Sequence, residues 1–90
     1  MRLHVVVRGR VQGVGFRWFV REAARRRNLA GWVRNLQDGG VEIAAEGPER
    51  EVGAFRSDVA RGPDGASVAM VDEVSEADSG ELHRPFSIIR

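Results

Sequence analysis

The chain contains no cysteine, no lysine and no tyrosine. Without cysteine there is no disulfide staple, no thiolate nucleophile and no cysteine-based metal site. Without lysine, Schiff-base catalysis and a phosphate-loop lysine are excluded, and all 14 basic residues are arginine. Without tyrosine there is no phenolic acid or base. No apolar run approaches the length of a membrane span. Met1-Arg2-Leu3-His4 leads straight into a strand pattern, lacking the apolar core and cleavage site of a signal peptide. A cytoplasmic protein with no membrane partner is expected.

With 90 residues, 1–90 read as one domain, and a hydrophobic fraction of 42% suffices for one modest core. The net charge is only +1. That is not the strongly basic balance of a dedicated nucleic-acid binder, so no nucleic-acid partner is expected. No exposed apolar stripe demands a partner, and a monomer is expected.

What the chain does have is a glycine-rich stretch, Gly9-Arg10-Val11-Gln12-Gly13-Val14-Gly15-Phe16-Arg17, between an alternating apolar run and a helix-like pattern. Three glycines let the backbone curl tightly. A curled loop ending at a helix start aims several N–H groups at one spot, where the helix dipole adds positive potential. Arg17, in the first helical turn, can bring a planar bidentate donor to the same place. The chemistry suits a small oxyanion, above all a phosphoryl group. The spacing matches neither the dinucleotide fingerprint nor the Walker lysine loop, and a plain tight turn is the competing reading.

Leu3 to Val7 alternate as a strand. From Arg17 to about Asn28, with Phe16, Phe19, Val20, Ala23 and Ala24 on one face, the spacing predicts a helix. Glu22 is placed to pair with Arg25 or Arg26. Arg25-Arg26-Arg27 reads as a complement to the negative end of the helix dipole rather than as a nucleic-acid tract. Leu29 to Leu36 reads as a strand with Trp32 half buried. Gln37-Asp38-Gly39-Gly40 is a hairpin turn, and Val41 to Glu46 is the return strand. Pro48 is expected at the first position of a second helix, with Glu49 and Glu51 near its positive end and Val52, Phe55 and Val59 buried; Gly62-Pro63 stops it. Ser67 to Val74 is a fourth strand, Glu76 to Gly80 a polar turn, and Phe86 to Ile89 a short final strand.

The order is βαββαβ with a short extra C-terminal strand. The fold class is therefore α+β: a ferredoxin-like sandwich with an antiparallel sheet and two helices on one face. This plan hosts RNA binders, metal chaperones and enzymes, so fold alone does not give function.

Two blocks narrow it. Val7-x-Gly9-x-Val11-Gln12-Gly13-Val14-x-Phe16-Arg17 resembles the first signature of the acylphosphatase family, and Gly31-Trp32-Val33-Arg34-Asn35-x-x-x-Gly39-x-Val41, followed by Gly47, resembles the second. The resemblance runs through essentially the whole chain. It implies a small hydrolase that splits acyl phosphates into a carboxylate and inorganic phosphate, with an acyl phosphate as its small-molecule partner and no cofactor. It implies that Arg17 binds the phosphoryl group together with backbone N–H groups of Gln12, Gly13, Val14, Gly15 and Phe16, and that Asn35 orients the attacking water. Gly15 stands where some members carry cysteine. Leu36 stands where animal members often carry threonine, so any hydroxyl hydrogen bond to Asn35 is lost.

These residues suffice for that chemistry. The leaving carboxylate, with a pKa of about 4, departs without a general acid. What remains is to hold the phosphoryl charge and align a water. Gln12 is read as a brace for the loop. His4 and His83 have no triad partners, and Asp72-Glu73 and Glu76-Ala77-Asp78 read as solvated acids, so no metal is expected. Two other readings stand beside the enzyme. An RNA-binding sheet would need paired aromatics on its central strands, and only Trp32 is available. An acylphosphatase-like domain of a larger carbamoyl-transfer maturation protein is disfavoured by the chain length.

Overall fold

Arg2–Arg10 form the first strand, β1, whose alternation puts Leu3, Val5 and Val7 on one face and His4 and Val6 on the other. The computed structural model describes residues 1–75 and 79–90. Helix α1 spans Phe16–Arg26 and strand β2 Ala30–Asn35. Strand β3 spans Val41–Glu46, helix α2 Glu49–Arg61, strand β4 Ser67–Glu73 and strand β5 Ser87–Ile88. The spatial order is β4-β1-β3-β2-β5. The polar turn expected over Glu76–Gly80 lies mostly outside the described residues, as do Glu76 and Asp78 among the acidic candidates.

The sheet is mixed rather than wholly antiparallel. β1 pairs antiparallel with β3 and β4, and β2 with β3, but β5 runs parallel to β2, with Trp32 opposite Ser87. β4 and β5 occupy opposite edges of the sheet, and β5 lies beside β2 in the same direction. Of the four residues expected in the last strand, only Ser87 and Ile88 join the ladder. Phe86 is instead fully buried, edge-on to Phe55 at 5.9 Å.

One core lies between the sheet and the helices, filled by Leu3, Val5, Val7, Val33 and Ile43 from the strands and Phe16, Val20, Phe55 and Val59 from the helices. Burying each large apolar side chain contributes about 1.5–3 kcal/mol. On the other face Leu82 packs with Ala30, Ala44 and Trp32.

Several boundaries differ from expectation, and the differences trace to tertiary partners. β1 continues through Gly9 and Arg10, assigned to the loop by sequence, because β4 pairs with them across a register shift at Arg8/Gly9. α1 stops at Arg26, short of Asn28, whose φ of 54° leaves the helical region. Glu22 pairs with Arg21 at 3.1 Å, not with Arg25 or Arg26. Arg25 donates to the Phe86 carbonyl at 2.8 Å, while Arg27 reaches Glu51 and Asp58 at 3.2 and 3.0 Å. Two of the three arginines thus tie α1 to other elements as well as complementing its dipole. Pro48 is the N-cap of α2 rather than its first residue.

Candidate active site

The site is built where β1 hands over to α1. Val11 is buried and Val14 packs partly into the core, which pins the loop from below. Gly13 and Gly15 turn outward with φ of 75° and 76°. Gly15 is the N-cap of α1 in the left-handed region. A Cβ there would meet nothing within 4 Å, so the dihedral, not a lack of space, favours glycine.

No side chain caps α1, and its first turn carries no acid. α2, by contrast, has Glu49 and Glu51 in its first turn. None of the backbone N–H groups from Gln12 to Arg17 donates to a described residue. A run of such donors kinked through left-handed residues, at the positive end of a helix, forms a concavity for an anion. Arg17 is exposed and forms no ion pair with a described residue. Arg2, Arg8, Arg27 and Arg34, by contrast, each face a carboxylate within 4.0 Å.

The second half of the site comes from the β2–β3 hairpin. Asn35 is the last residue of β2, opposite Val41. Its Oδ1 is buried and accepts no hydrogen bond from any described residue. A buried acceptor left without a donor is rare in folded proteins and calls for an explanation. The turn beyond it is firmly held. Leu36 N–H donates to the Gly40 carbonyl at 2.8 Å, Gly40 N–H donates to Asp38 Oδ1 at 3.0 Å, and Arg8 donates to Asp38 Oδ2 at 2.9 Å. The Gly40 N–H, and after it Arg8, hold the Asp38 carboxyl below its usual range.

Gln12 joins the two halves. Its Nε2 donates to the carbonyls of Leu36 and Gly40, both at 2.8 Å. The loop is thereby tied to the hairpin beside Asn35, as the sequence reading of Gln12 anticipated. The structure thus ties the stretch Gln12, Gly13, Val14, Gly15, Phe16 and Arg17, contiguous in the chain, to the hairpin that follows Asn35, through the bonds of Gln12 to Leu36 and Gly40. Arg17 and Asn35 do not hydrogen-bond each other. Sequence reasoning missed the bracing by Arg8 and Asp38; the Asp-Gly turn was legible, but its cross-strand arginine was not.

The histidines lie outside this site. His4 is buried, 2.8 Å from the Ser75 carbonyl and 2.6 Å from Glu42 Oε2, with Arg34 donating to Glu42 Oε1 at 2.7 Å. Among the described residues both ring nitrogens are thus engaged by the Ser75 backbone carbonyl and Glu42, and no hydroxyl side chain bonds to them. Asp72 faces Arg8 at 3.6 Å. Among the described residues no group of three or more metal-ligating side chains comes together. No described helix is long and apolar enough to cross a membrane.

Two helices on a mixed five-stranded sheet, with an uncapped N–H loop at the first strand–helix junction, define a ferredoxin-like α+β protein suited to holding an oxyanion at its surface. The comparisons with known proteins take the class further. The acylphosphatase family model matches residues 3–88. The acylphosphatase of Bacillus subtilis (strain 168) is 47% identical over 89 residues, covering 99% of this chain and 97% of that protein. The crystal structure of acylphosphatase from Bacillus subtilis superimposes with a TM-score of 0.88 at 44% identity, over 99% of this chain and 98% of the other. An acylphosphatase structure from Coxiella burnetii gives 0.84 at 36% identity, over 98% and 90%. This chain belongs to the acylphosphatase family, and it is an enzyme of the hydrolase class.

Proposed function

We propose that this protein hydrolyses the carboxyl–phosphate bond of acyl phosphates, releasing a carboxylate and inorganic phosphate, without a metal ion. Arg17 and the N–H groups from Gln12 to Phe16 bind the phosphoryl oxygens. Asn35 Oδ1 accepts a hydrogen bond from the attacking water. The observation that carries the reading is the buried, unpartnered Asn35 Oδ1 at the start of a hairpin that Gln12 ties to a loop of unused N–H donors.

Phosphoryl transfer passes through a loose transition state with charge on the equatorial oxygens, so catalysis is chiefly charge stabilisation and alignment. The guanidinium and the loop N–H groups supply the first. Asparagine is no base, but its oxygen can orient a water opposite the leaving carboxylate. The leaving group needs no acid, and among the described residues no carboxylate or histidine is bonded to Arg17 or to Asn35 Oδ1. Arg17 contributes on the order of 3–5 kcal/mol, because its loss leaves phosphoryl charge uncompensated. On this reading residues 1–90 act as one domain, consistent with a core cluster that reaches from Leu3 to Phe86.

The test is hydrolysis of benzoyl phosphate in EDTA by the wild type, Arg17→Ala and Asn35→Ala. Rapid wild-type turnover and a loss of about two to four orders of magnitude in both folded variants is the expected result. An inactive wild type, or a fully active Arg17→Ala, rejects the assignment.

A further inference from the structure

We propose that Trp18 reads the acyl end of the substrate and makes this enzyme favour aromatic or extended apolar acyl phosphates over acetyl phosphate. The proposal rests on the acyl-phosphate reading above, which accounts for the phosphoryl end of the substrate but leaves its acyl end without a partner.

Trp18 is 59% exposed, although indole is a large apolar group. It has no ring partner and no cation over its face among the described residues. The other tryptophan, Trp32, shows what a structural role looks like: it is half buried, with His4 edge-on at 5.8 Å and Arg34 5.5 Å from its ring centroid. The fold does not use Trp18 in that way.

Its position is specific. Trp18 is the third residue of α1 and follows Arg17 directly. Side chains in a helix lean toward its N-terminus, so the surface a residue covers lies over the preceding turn. For Trp18 that preceding turn is the loop itself. There Gly13 and Gly15 carry no side chains, and the space a Cβ would enter is open to 4 Å at both. The indole therefore flanks an unobstructed surface next to the phosphoryl cradle. The other exposed large apolar residues lie elsewhere: Met70 and Val74 on or just after β4, Ile88 and Ile89 at β5, and Met1 at the terminus.

A phosphoryl group held by Arg17 and the loop must project its acyl substituent outward, because the loop and the core behind it fill the inner side. An aromatic acyl group can then lie against the indole, an interaction that falls on the substrate as bound rather than on the reacting bond. Acetyl is too small to cover the ring.

The experiment compares wild type, Trp18→Phe and Trp18→Ala on benzoyl phosphate and on acetyl phosphate, with inorganic phosphate as competitive inhibitor. In Trp18→Ala, KM for benzoyl phosphate should rise about three- to tenfold with kcat little changed, as expected for loss of one aromatic contact. The ratio of kcat/KM between the two substrates should fall by the same factor, the phosphate inhibition constant should stay within about twofold, and Trp18→Phe should recover most of the difference. An unchanged substrate ratio in Trp18→Ala overturns the proposal while leaving the acyl-phosphate reading intact. So does a parallel shift in the phosphate inhibition constant, which would make Trp18 part of the cradle instead. A wild type that hydrolyses neither compound overturns both readings.

Discussion

Gln12 Nε2 donates to the Leu36 carbonyl at 2.8 Å, and the residue before Leu36 is Asn35, whose Oδ1 is buried and unpartnered. One side-chain amide thus sets the spacing between the anion loop and the group proposed to hold water. Gln12 is a positioning residue on this account. Gln12→Ala should lower kcat about 10- to 100-fold, since a shift of about 1 Å in alignment carries a penalty of that order. The inorganic phosphate inhibition constant should change little, because the loop N–H groups and Arg17 remain. Urea unfolding should show a loss of about 1–2 kcal/mol from the two Gln12 hydrogen bonds, because the Leu36 and Gly40 carbonyls keep the Gly39 and Leu36 N–H donors at 3.3 and 2.8 Å. Parallel losses in kcat and in phosphate affinity would place the effect in the cradle rather than in alignment.

Phosphate should stabilise the fold. A ligand that binds only the native state at 100 times its dissociation constant adds about 2.7 kcal/mol. Thermal unfolding in inorganic phosphate should give a rising Tm for the wild type and a flat one for Arg17→Ala at the same ionic strength. Chloride at equal ionic strength provides a check on general screening, since it lacks the tetrahedral oxygens the cradle would bind.

Two glycine substitutions should behave differently. In Gly15→Ala the new Cβ meets nothing within 4 Å, so only the left-handed dihedral is strained, at about 1–2 kcal/mol. Activity should stay within a few-fold. In Gly31→Ala the Cβ would fall 1.9 Å from the Ala44 carbonyl oxygen, so β2 would have to move off β3. A destabilisation of more than about 4 kcal/mol follows, and circular dichroism melts of the two variants check the contrast.

Acid should unfasten the outer face of the sheet through Glu42. Burial opposes ionisation of Glu42, but the hydrogen bonds with His4 and Arg34 outweigh it and hold the carboxyl below its usual range. A depressed folded value means the unfolded chain binds the proton more readily, so stability rises with pH across this interval. The contribution is complete above the ordinary glutamate value of about 4.3 and is lost as the pH falls through the lower folded value. Urea midpoints from pH 6 down to pH 2, roughly the span over which acidic groups titrate, should fall more steeply for the wild type than for Glu42→Gln. Equal slopes would show that Glu42 does not carry the effect.

Much of this was legible in the sequence because the governing physics is local. Leu3, Val5 and Val7 alternate with period two, Val52, Phe55 and Val59 recur at helical spacing, and Asp38-Gly39 demands a turn. The extent of β1 was not legible, because Gly9 and Arg10 become strand only when β4 pairs with them. The parallel pairing of β5 was not legible either, since two residues carry almost no pattern of their own. Glu22 had basic neighbours at several helical spacings, and only side-chain geometry chose Arg21.

For the site the division is similar. The order of residues by itself determined the glycine-rich loop, its arginine and the asparagine at the hairpin shoulder, because dihedral freedom, charge and turn propensity belong to residue types. Tertiary structure alone decided that Gln12 ties the loop to the carbonyls of Leu36 and Gly40, that Asn35 Oδ1 is buried with no donor, and that Trp18 stays uncovered next to Arg17. Each of these depends on distances between segments more than ten residues apart, or on what fails to pack against a side chain. Neither is encoded in any local window of the chain.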